Sequence, residues 1–338
     1  MLDMTMADTS MHSSCNSSHP QRIEGELLSL VVPCYNEAKA LPLFMDEVHR
    51  VAAELSGVQL EVVLVNDGSH DDSLTVMREM SRKYAGVRYL SFSRNFGKES
   101  AILAGLSAAK GDWCAVMDAD LQDPPALLPE MLRIVREEHY DCVGTRRTTR
   151  TGEPPIRSFF ARCFYRLINR MSTTQLVDGA RDFKLLSRPA VNALVSMPEI
   201  NRFSKGLYEW IGFRTKWLEY KNIERIAGET KWSFWKLFKY SLDGIVSFST
   251  IPLQFSTFIG LFFIFASVVA IISLVVRQFL YQNSAYGWTS MVCIMLLISG
   301  VQLFCMGLIG QYLSKMYIEI KRRPHYIIAE TSDSMPRK

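Results

Sequence analysis

Val116-Met117-Asp118-Ala119-Asp120-Leu121-Gln122-Asp123-Pro124-Pro125 is the stretch on which the reading of the chain turns. A run of small and apolar residues beginning at Trp113 stops at three carboxylates, an amide and two prolines, as a buried strand does when it delivers charge to the edge of a cleft. Asp118 and Asp120 are two apart, so on a continuing strand they share a face. Paired carboxylates on one face repel unless a cation lies between them, and hard oxygen ligands suit Mg²⁺ or Mn²⁺. One reading is a metal-diphosphate site. The other is an acidic turn capping a helix from about Leu127, because a bare Asp-x-Asp is a short pattern.

Upstream, the chain repeats one unit. Leu28 to Val32 reads as a buried strand closed by Pro33, followed by Cys34-Tyr35-Asn36-Glu37 and a helix from near Leu41 with Leu43, Val48, Val51 and Leu55 on its apolar side. Glu61 to Val65 is a second strand, running into Asn66-Asp67-Gly68-Ser69, with Asp71 or Asp72 placed to cap the helix that ends near Lys83. Val87 to Phe92 is a third strand, Lys98 to Ala109 a small-residue helix, and Trp113 to Met117 the fourth strand. Strands alternating with helices at this spacing predict a mostly parallel, doubly wound sheet, with ligands at the carboxyl ends of the strands. Polar clusters fall at those ends: Pro33 to Glu37, Asn66 to Ser69, Ser93 to Lys98 and Asp118 to Asp123.

Downstream, a helix from about Leu127 to Glu138 and a strand at Asp141 to Gly144 continue the pattern. A basic loop, Thr145 to Gly152, follows. It suits either phosphates or a solvated surface. Ile156 to Met171 reads as a basic amphipathic helix, Asp178 to Leu185 as a turn and edge strand, and Tyr220 to Ile226 as another strand.

Residues 1–26 lack an apolar segment of the secretory kind and read as a disordered tail. The 38 basic and 34 acidic residues are too nearly balanced to argue for nucleic acid. Seven cysteines without a Cys-x-x-Cys pair read as buried free thiols in a reducing compartment.

The carboxyl-terminal third is greasier. Aromatics mixed with Lys236 and Lys239 over 231–249 suit a helix lying in a lipid interface. Ile251 to Val276 and about Trp288 to Leu313 are uncharged and each long enough to cross a bilayer, giving a two-helix hairpin at 250–315 and a tail at 316–338. The lysines and arginines flank the outer sides of the pair, which predicts both ends on the cytoplasmic side. Gly300, Gly307 and Gly310 suit close helix packing.

The four loops and the hairpin together resemble polyprenyl-phosphate glycosyltransferases of the dolichol-phosphate-mannose-synthase type, and within them the bacterial bactoprenol glucosyltransferases. The carrying motifs are Val32-Pro33-Cys34-Tyr35-Asn36-Glu37, Asn66-Asp67-Gly68-Ser69, Arg94-Asn95-Phe96-Gly97-Lys98 and Asp118 to Pro125. The resemblance implies an α/β GT-A domain (Rossmann-like) over 27–230, a nucleotide-sugar donor such as UDP-glucose, a polyprenyl-phosphate acceptor, Mg²⁺ or Mn²⁺, and a multi-pass place in the bacterial inner membrane with the catalytic domain cytoplasmic. A homo-oligomer such as a tetramer is also in keeping with it.

Residue by residue, it implies nucleotide binding by Pro33, Tyr35, Glu37, Asp67, Lys98 and Asp118, with Asp67 accepting from the base. It implies metal ligation by Asp120 and Gln122, and catalysis by Asp118 and Asp120 with Arg146 and Arg225 facing the phosphates. Arg181, Asp182, Lys184 and Lys231 are further acceptor or phosphate candidates.

Other readings meet specific objections. A processive polysaccharide synthase usually carries Gln-x-x-Arg-Trp and more membrane helices, and neither is found; a dinucleotide oxidoreductase lacks its Gly-x-Gly-x-x-Gly after the first strand. A nucleotide-binding membrane scaffold without turnover sits poorly with the retained acids and arginines. Another donor, a UDP-aminosugar or GDP-mannose, stays open.

Overall fold

The computed structural model describes residues 26–147, 169, 177, 179–220, 251–281 and 287–334. Strands β1 (Glu26–Cys34), β2 (Val58–Asn66), β3 (Val87–Phe92) and β4 (Trp113–Val116) alternate with helices α1 (Ala40–Ala52), α2 (Ser73–Lys83) and α3 (Lys98–Ala108). A short 3-10 turn and α4 (Leu128–Glu137) lead to β5 (Cys142–Arg147). β6 (Ala180–Ser187), α5 (Arg188–Ser196), α6 (Ser204–Trp210) and β7 (Thr215–Tyr220) complete this part. Two long helices follow, α7 (Ile251–Tyr281) and α8 (Trp288–Ile320), and then β8 (Ile328–Thr331).

All eight strands join one sheet in the order β7-β5-β6-β4-β1-β2-β3-β8. The centre, β3-β2-β1-β4, is parallel throughout. The flanks are not: β6 runs antiparallel between β4 and β5, and β8 runs antiparallel on β3. The sheet is therefore mixed, and the stretch expected at an edge is an interior strand. Ladder bonds on both sides of β6 account for the burial of Phe183 to Leu186.

Alternation decides which side chain faces which helix layer. Leu28, Leu30 and Val32 of β1 pack with Leu41, Phe44, Met45 and Val48 of α1 and with α4, while Val31 on the opposite face packs under α3 and α5. The expected apolar side of α1 is shifted, because Leu43 points to solvent and Leu41, Phe44 and Met45 fill the core. α3 lies directly on the sheet because of Gly105: a Cβ there would sit 2.2 Å from Val31 Cγ1. That close approach fixes the height of Lys98, the first residue of α3.

α7 and α8 are 31 and 33 residues long and present apolar side chains outward, Phe258, Phe262 and Phe265 on one, Leu303, Phe304 and Met306 on the other. Among the described residues one stretch, Leu297–Ile320, is long and apolar enough to cross a membrane, and Leu253–Phe263 is a shorter apolar run. The structure thus supplies one qualifying span where the sequence suggested two. The interfacial helix at 231–249, Arg225, Lys231 and nearly all of the helix at 156–171 lie outside the described residues.

The carboxyl-terminal stretch, read above as a tail, returns to the sheet as β8. Glu330 accepts two hydrogen bonds from the Arg78 guanidinium and one from Tyr89 Oη at 2.6 Å. These contacts, the Arg78 side chain first, hold the Glu330 carboxyl down at about 2. Because the folded-state value is depressed, its contribution is present above the ordinary carboxylate range and lost as pH falls toward the folded value. The difference in thermal midpoint between the wild type and Glu330→Gln is expected to be largest above pH 5 and to vanish as pH approaches about 2. A difference that grows on acidification contradicts this.

Candidate functional site

The chain converges on the carboxyl edge of the parallel strands. β1 ends at Cys34, β2 at Asn66 and β4 at Val116. The antiparallel β6 starts at this same edge with Ala180, Arg181 and Asp182, and β5 and β7 finish here with Arg147 and Tyr220.

Two loops form one wall. Asn36, in the left-handed region at φ 59°, accepts from His70 N on its side-chain oxygen, and its own N–H donates to Ser69 Oγ. Glu37 N donates to Ser73 Oγ, and Ala38 N to Asp71. Pro33 is buried in β1, whereas Tyr35 keeps 39% exposure with its ring edge-on to His70. Asp67 is almost wholly buried. Its carboxylate accepts from Phe96 N at 2.7 Å and Gly97 N at 3.0 Å. Burial pushes this carboxyl up, and the two amides and Arg94 only partly offset it. Asp67, expected to accept from a base, is thus committed to holding the loop that precedes Lys98. Gly68 makes that approach possible: at φ 63° its Cβ would fall 2.4 Å from the Arg94 carbonyl carbon.

The floor is a charge cluster. Lys98 Nζ lies 2.7 Å from Asp118 Oδ1 and 2.5 Å from Asp182 Oδ2, with Lys205 Nζ 3.8 Å from the other Asp182 oxygen. Burial pulls the Lys98 ammonium down, but the two carboxylates outweigh it and hold it above its usual range. The carboxylates diverge. Burial raises Asp118, helped by Asp182 and opposed by Lys98, whereas for Asp182 burial is outweighed by Lys98 and Lys205 and the group is held low.

Beside it lies an arginine network. The side-chain oxygen of Gln122 accepts from Arg147 Nη2 and Arg181 Nη2, both at 3.2 Å. Asp123, 1% exposed, accepts from Arg181 Nε at 2.8 Å and from Tyr220 Oη. The Tyr220 hydroxyl is pushed up to about 12 by burial and then by Asp123. Leu121, between these residues, adopts φ 56°, a conformation costing about 1–2 kcal/mol for a residue with a Cβ. Asp123 makes no helix cap. The residue at the cap of the 3-10 turn is Pro124, and no side chain caps it.

Several sequence assignments change. Arg146 pairs with Glu219 on the neighbouring strand, so Arg147 is the β5 arginine that reaches the acidic loop; strand alternation sends the two to opposite faces. Lys184 is 1% exposed, bonded to Glu209 at 3.0 Å between the rings of Tyr208 and Trp217, and does not reach the cleft. Gly144 leaves room for that indole, since its Cβ would meet Trp217 Cζ3 at 2.7 Å. Asp182, Arg147, Asp123 and Tyr220 are the members that sequence reading underweighted. For Asp182 the signal was the charge embedded in an apolar frame, whereas Arg147, Asp123 and Tyr220 carried none beyond residue type.

Asp118 and Asp120 offer hard oxygens in one turn, and an Asp120 oxygen also accepts from Gln122 N at 3.1 Å. Gln122 does not fit as a third ligand, because its oxygen faces two guanidinium groups. Among the described residues no group of three or more His, Cys, Asp or Glu converges. Asp118 and Asp120 are the residues of this turn that would hold a cation, and Asp118 already pairs with Lys98 Nζ at 2.7 Å.

The chain is similar to known proteins over most of its length. Residues 29–195 match the family described as glycosyl transferase family 2. A glycosyltransferase relative from Bacillus subtilis (strain 168), CsbB, is 42% identical over 306 residues, covering 90% of this chain and 92% of its own. The SfII prophage-derived bactoprenol glucosyl transferase of Shigella flexneri is 38% identical over 309 residues, 91% and 99% of the two chains. Among solved structures, Mycobacterium tuberculosis glucosyl-3-phosphoglycerate synthase, crystallised with Mn²⁺, UDP-glucose and phosphoglyceric acid, is 19% identical, covers 66% of this chain and 78% of its own, and superposes with a TM-score of 0.45.

The two arginine pairs differ in burial and so in worth. Asp123→Ala leaves Arg181 without its carboxylate and is expected to cost about 3 kcal/mol. Removing the exposed Arg146 partner by Glu219→Ala costs about 0–1 kcal/mol. Denaturant unfolding in detergent checks this, and equal losses contradict it.

Proposed function

The chain belongs to glycosyltransferase family 2, and from that premise we propose that it moves glucose from UDP-glucose to a polyprenyl phosphate, with inversion, at the cytoplasmic face of a bacterial inner membrane. The observation that carries the reading is the turn Asp118–Asp123. It joins the Lys98-held acids to two arginines that share the side-chain oxygen of Gln122, one of them, Arg181, also paired with the buried Asp123 carboxylate. A substrate bearing a diphosphate matches that arrangement. The near full-length likeness to a bactoprenol glucosyl transferase supports the lipid acceptor, as does the outward apolar surface of α7 and α8. The same chemistry with a UDP-aminosugar or GDP-mannose is the second reading.

The steps follow from charge. The exposed Tyr35 ring offers a face for the nucleoside base at the wall that Asp67 stabilises. The acceptor phosphate is already ionised at neutral pH, so its oxygen attacks the anomeric carbon without a general base. As that bond forms, the bond from the anomeric carbon to the nucleoside diphosphate breaks, and the electron pair leaves with the diphosphate. Arg147 and Arg181 stand on the side where that negative charge grows, and donors fixed before the reaction stabilise it without reorganising. A divalent ion bound by Asp118 and Asp120 would neutralise further charge on the leaving diphosphate. Orientation of the phosphate then matters more than proton transfer.

Transfer of sugar from UDP-glucose to undecaprenyl phosphate by the full-length protein is expected to stop with EDTA and return with Mg²⁺ or Mn²⁺. Asp120→Ala is expected to slow it by about 10²-fold or more, the loss typical of a removed transition-state contact. A loss under about tenfold removes the proposed role of Asp120.

A further inference from the structure

The end of α8 touches the connection between α5 and α6, the segment leaving it touches the sheet, and both contacts lead to the same turn. On one side the Glu319 carboxylate, one residue before the end of α8, accepts from Ile200 N at 2.9 Å, Asn201 N at 2.9 Å and Asn201 Nδ2 at 2.8 Å. Three residues on, Ser204 donates through both its N–H, at 2.9 Å, and its hydroxyl to Glu99. Glu99 is the neighbour of Lys98.

On the other side, Tyr326 stacks on Phe92 with ring centroids 5.0 Å apart and planes 12° from parallel. Phe92 meets Phe96 edge-on at 5.8 Å, and Ser93 N donates to Ile327 O at 3.0 Å. Phe92 to Gly97 is the loop that Asp67 grips through the Phe96 and Gly97 amides, and it ends at Lys98. The amino terminus of α3 is therefore braced from two directions by one segment that continues an apolar helix. β8 anchors the segment through Arg78–Glu330 and Arg88–Asp333, both at 2.7 Å or less.

We propose that Glu319 and Tyr326 are positioning residues for Lys98: they lock the turn that delivers its ammonium between Asp118 and Asp182, and so tie the seating of α8 to the assembly of the charge cluster. The cluster's importance for transfer rests on the function proposed above, but the bracing does not. Neither residue reaches a substrate-facing atom. Glu319 acts through the backbone of 200–201, and Tyr326 through an aromatic stack. Replacing Glu319 by alanine removes the acceptor of Ile200 N, Asn201 N and Asn201 Nδ2. Removing the Tyr326 ring opens the apolar side of the loop.

Lysine acylation of the full-length protein in detergent micelles, read by peptide mass spectrometry, tests this without turnover. In the wild type, Lys98 is slow to react because its Nζ is held between the Asp118 and Asp182 carboxylates. Glu319→Ala and Tyr326→Ala are each expected to raise the Lys98 rate about tenfold, because the loosened turn opens locally and frees the amine from between Asp118 and Asp182. Lys184 and Lys216, ion-paired elsewhere in the sheet, stay at their wild-type rates. Tyr326→Phe keeps the stacked ring and stays at the wild-type rate. An unchanged Lys98 rate in both disruptive variants overturns the proposal, and so does a joint rise at Lys98, Lys184 and Lys216, which reports general loosening. If Glu319→Ala does not fold, the Tyr326→Ala and Tyr326→Phe pair decides. Selective Lys98 exposure in a protein that transfers no sugar would refute the function and leave the bracing intact.

Discussion

One ammonium group between two carboxylates organises the functional edge of this protein. Asp118 and Asp182 come from strands far apart in sequence, and the antiparallel register of β4 against β6, Val116 opposite Lys184, carries the two acids toward the same point. Like charges brought that close need a counter-ion. Lys98 supplies it from the first residue of α3. Its position in turn depends on Gly105, which sets α3 down on β1, and on Asp67, which fixes the loop before it. A buried carboxylate spent on two backbone amides is costly in isolation, and its worth lies in the geometry it maintains.

The turn Asp118–Asp123 divides its labour by position. Asp118 faces Lys98, Asp120 offers oxygens in the same turn, and Gln122 and Asp123 gather Arg147, Arg181 and Tyr220. The left-handed Leu121 makes the reversal between the two halves. Strain of this kind persists where the surrounding structure over-determines the backbone, and here bonds on both sides do so. The result is a strip of positive charge beside a strip of paired acids, suited to a diphosphate leaving group.

Much of this was legible in the sequence, for local reasons. The four polar clusters follow four apolar runs, and a parallel sheet must place such ends on one edge. What was not legible depended on long-range pairing. Nothing in Ala180 to Ser187 says that it enters between β4 and β5, so Lys184 read as a phosphate ligand although its pairing buries it against Glu209. The choice between Arg146 and Arg147 turned on one residue of register in β5, and a slip of one residue exchanges the faces. Asp123 read as a turn residue because its partners, Arg181 and Tyr220, lie 58 and 97 positions away. The return of the last residues as β8 was hidden because the strand is short and amphipathic, with its partner some 240 residues earlier. The apolar helices were visible by composition, though one qualifying stretch stands where two were expected.

The proposed function needs a nucleotide-sugar donor and a lipid-borne phosphate at one place, and the sheet edge with its paired acids and arginines is joined through Glu319 to an apolar helix. The direct test is the mass of the lipid formed when the full-length protein meets undecaprenyl phosphate and a panel of nucleotide sugars. The function proposed above predicts a polyprenyl phosphate heavier by one hexosyl group, formed from UDP-glucose in preference to the other donors. Recovery of unmodified lipid with every donor, at protein levels that still bind UDP, would contradict glycosyl transfer to a lipid phosphate and leave a nucleotide-binding membrane protein.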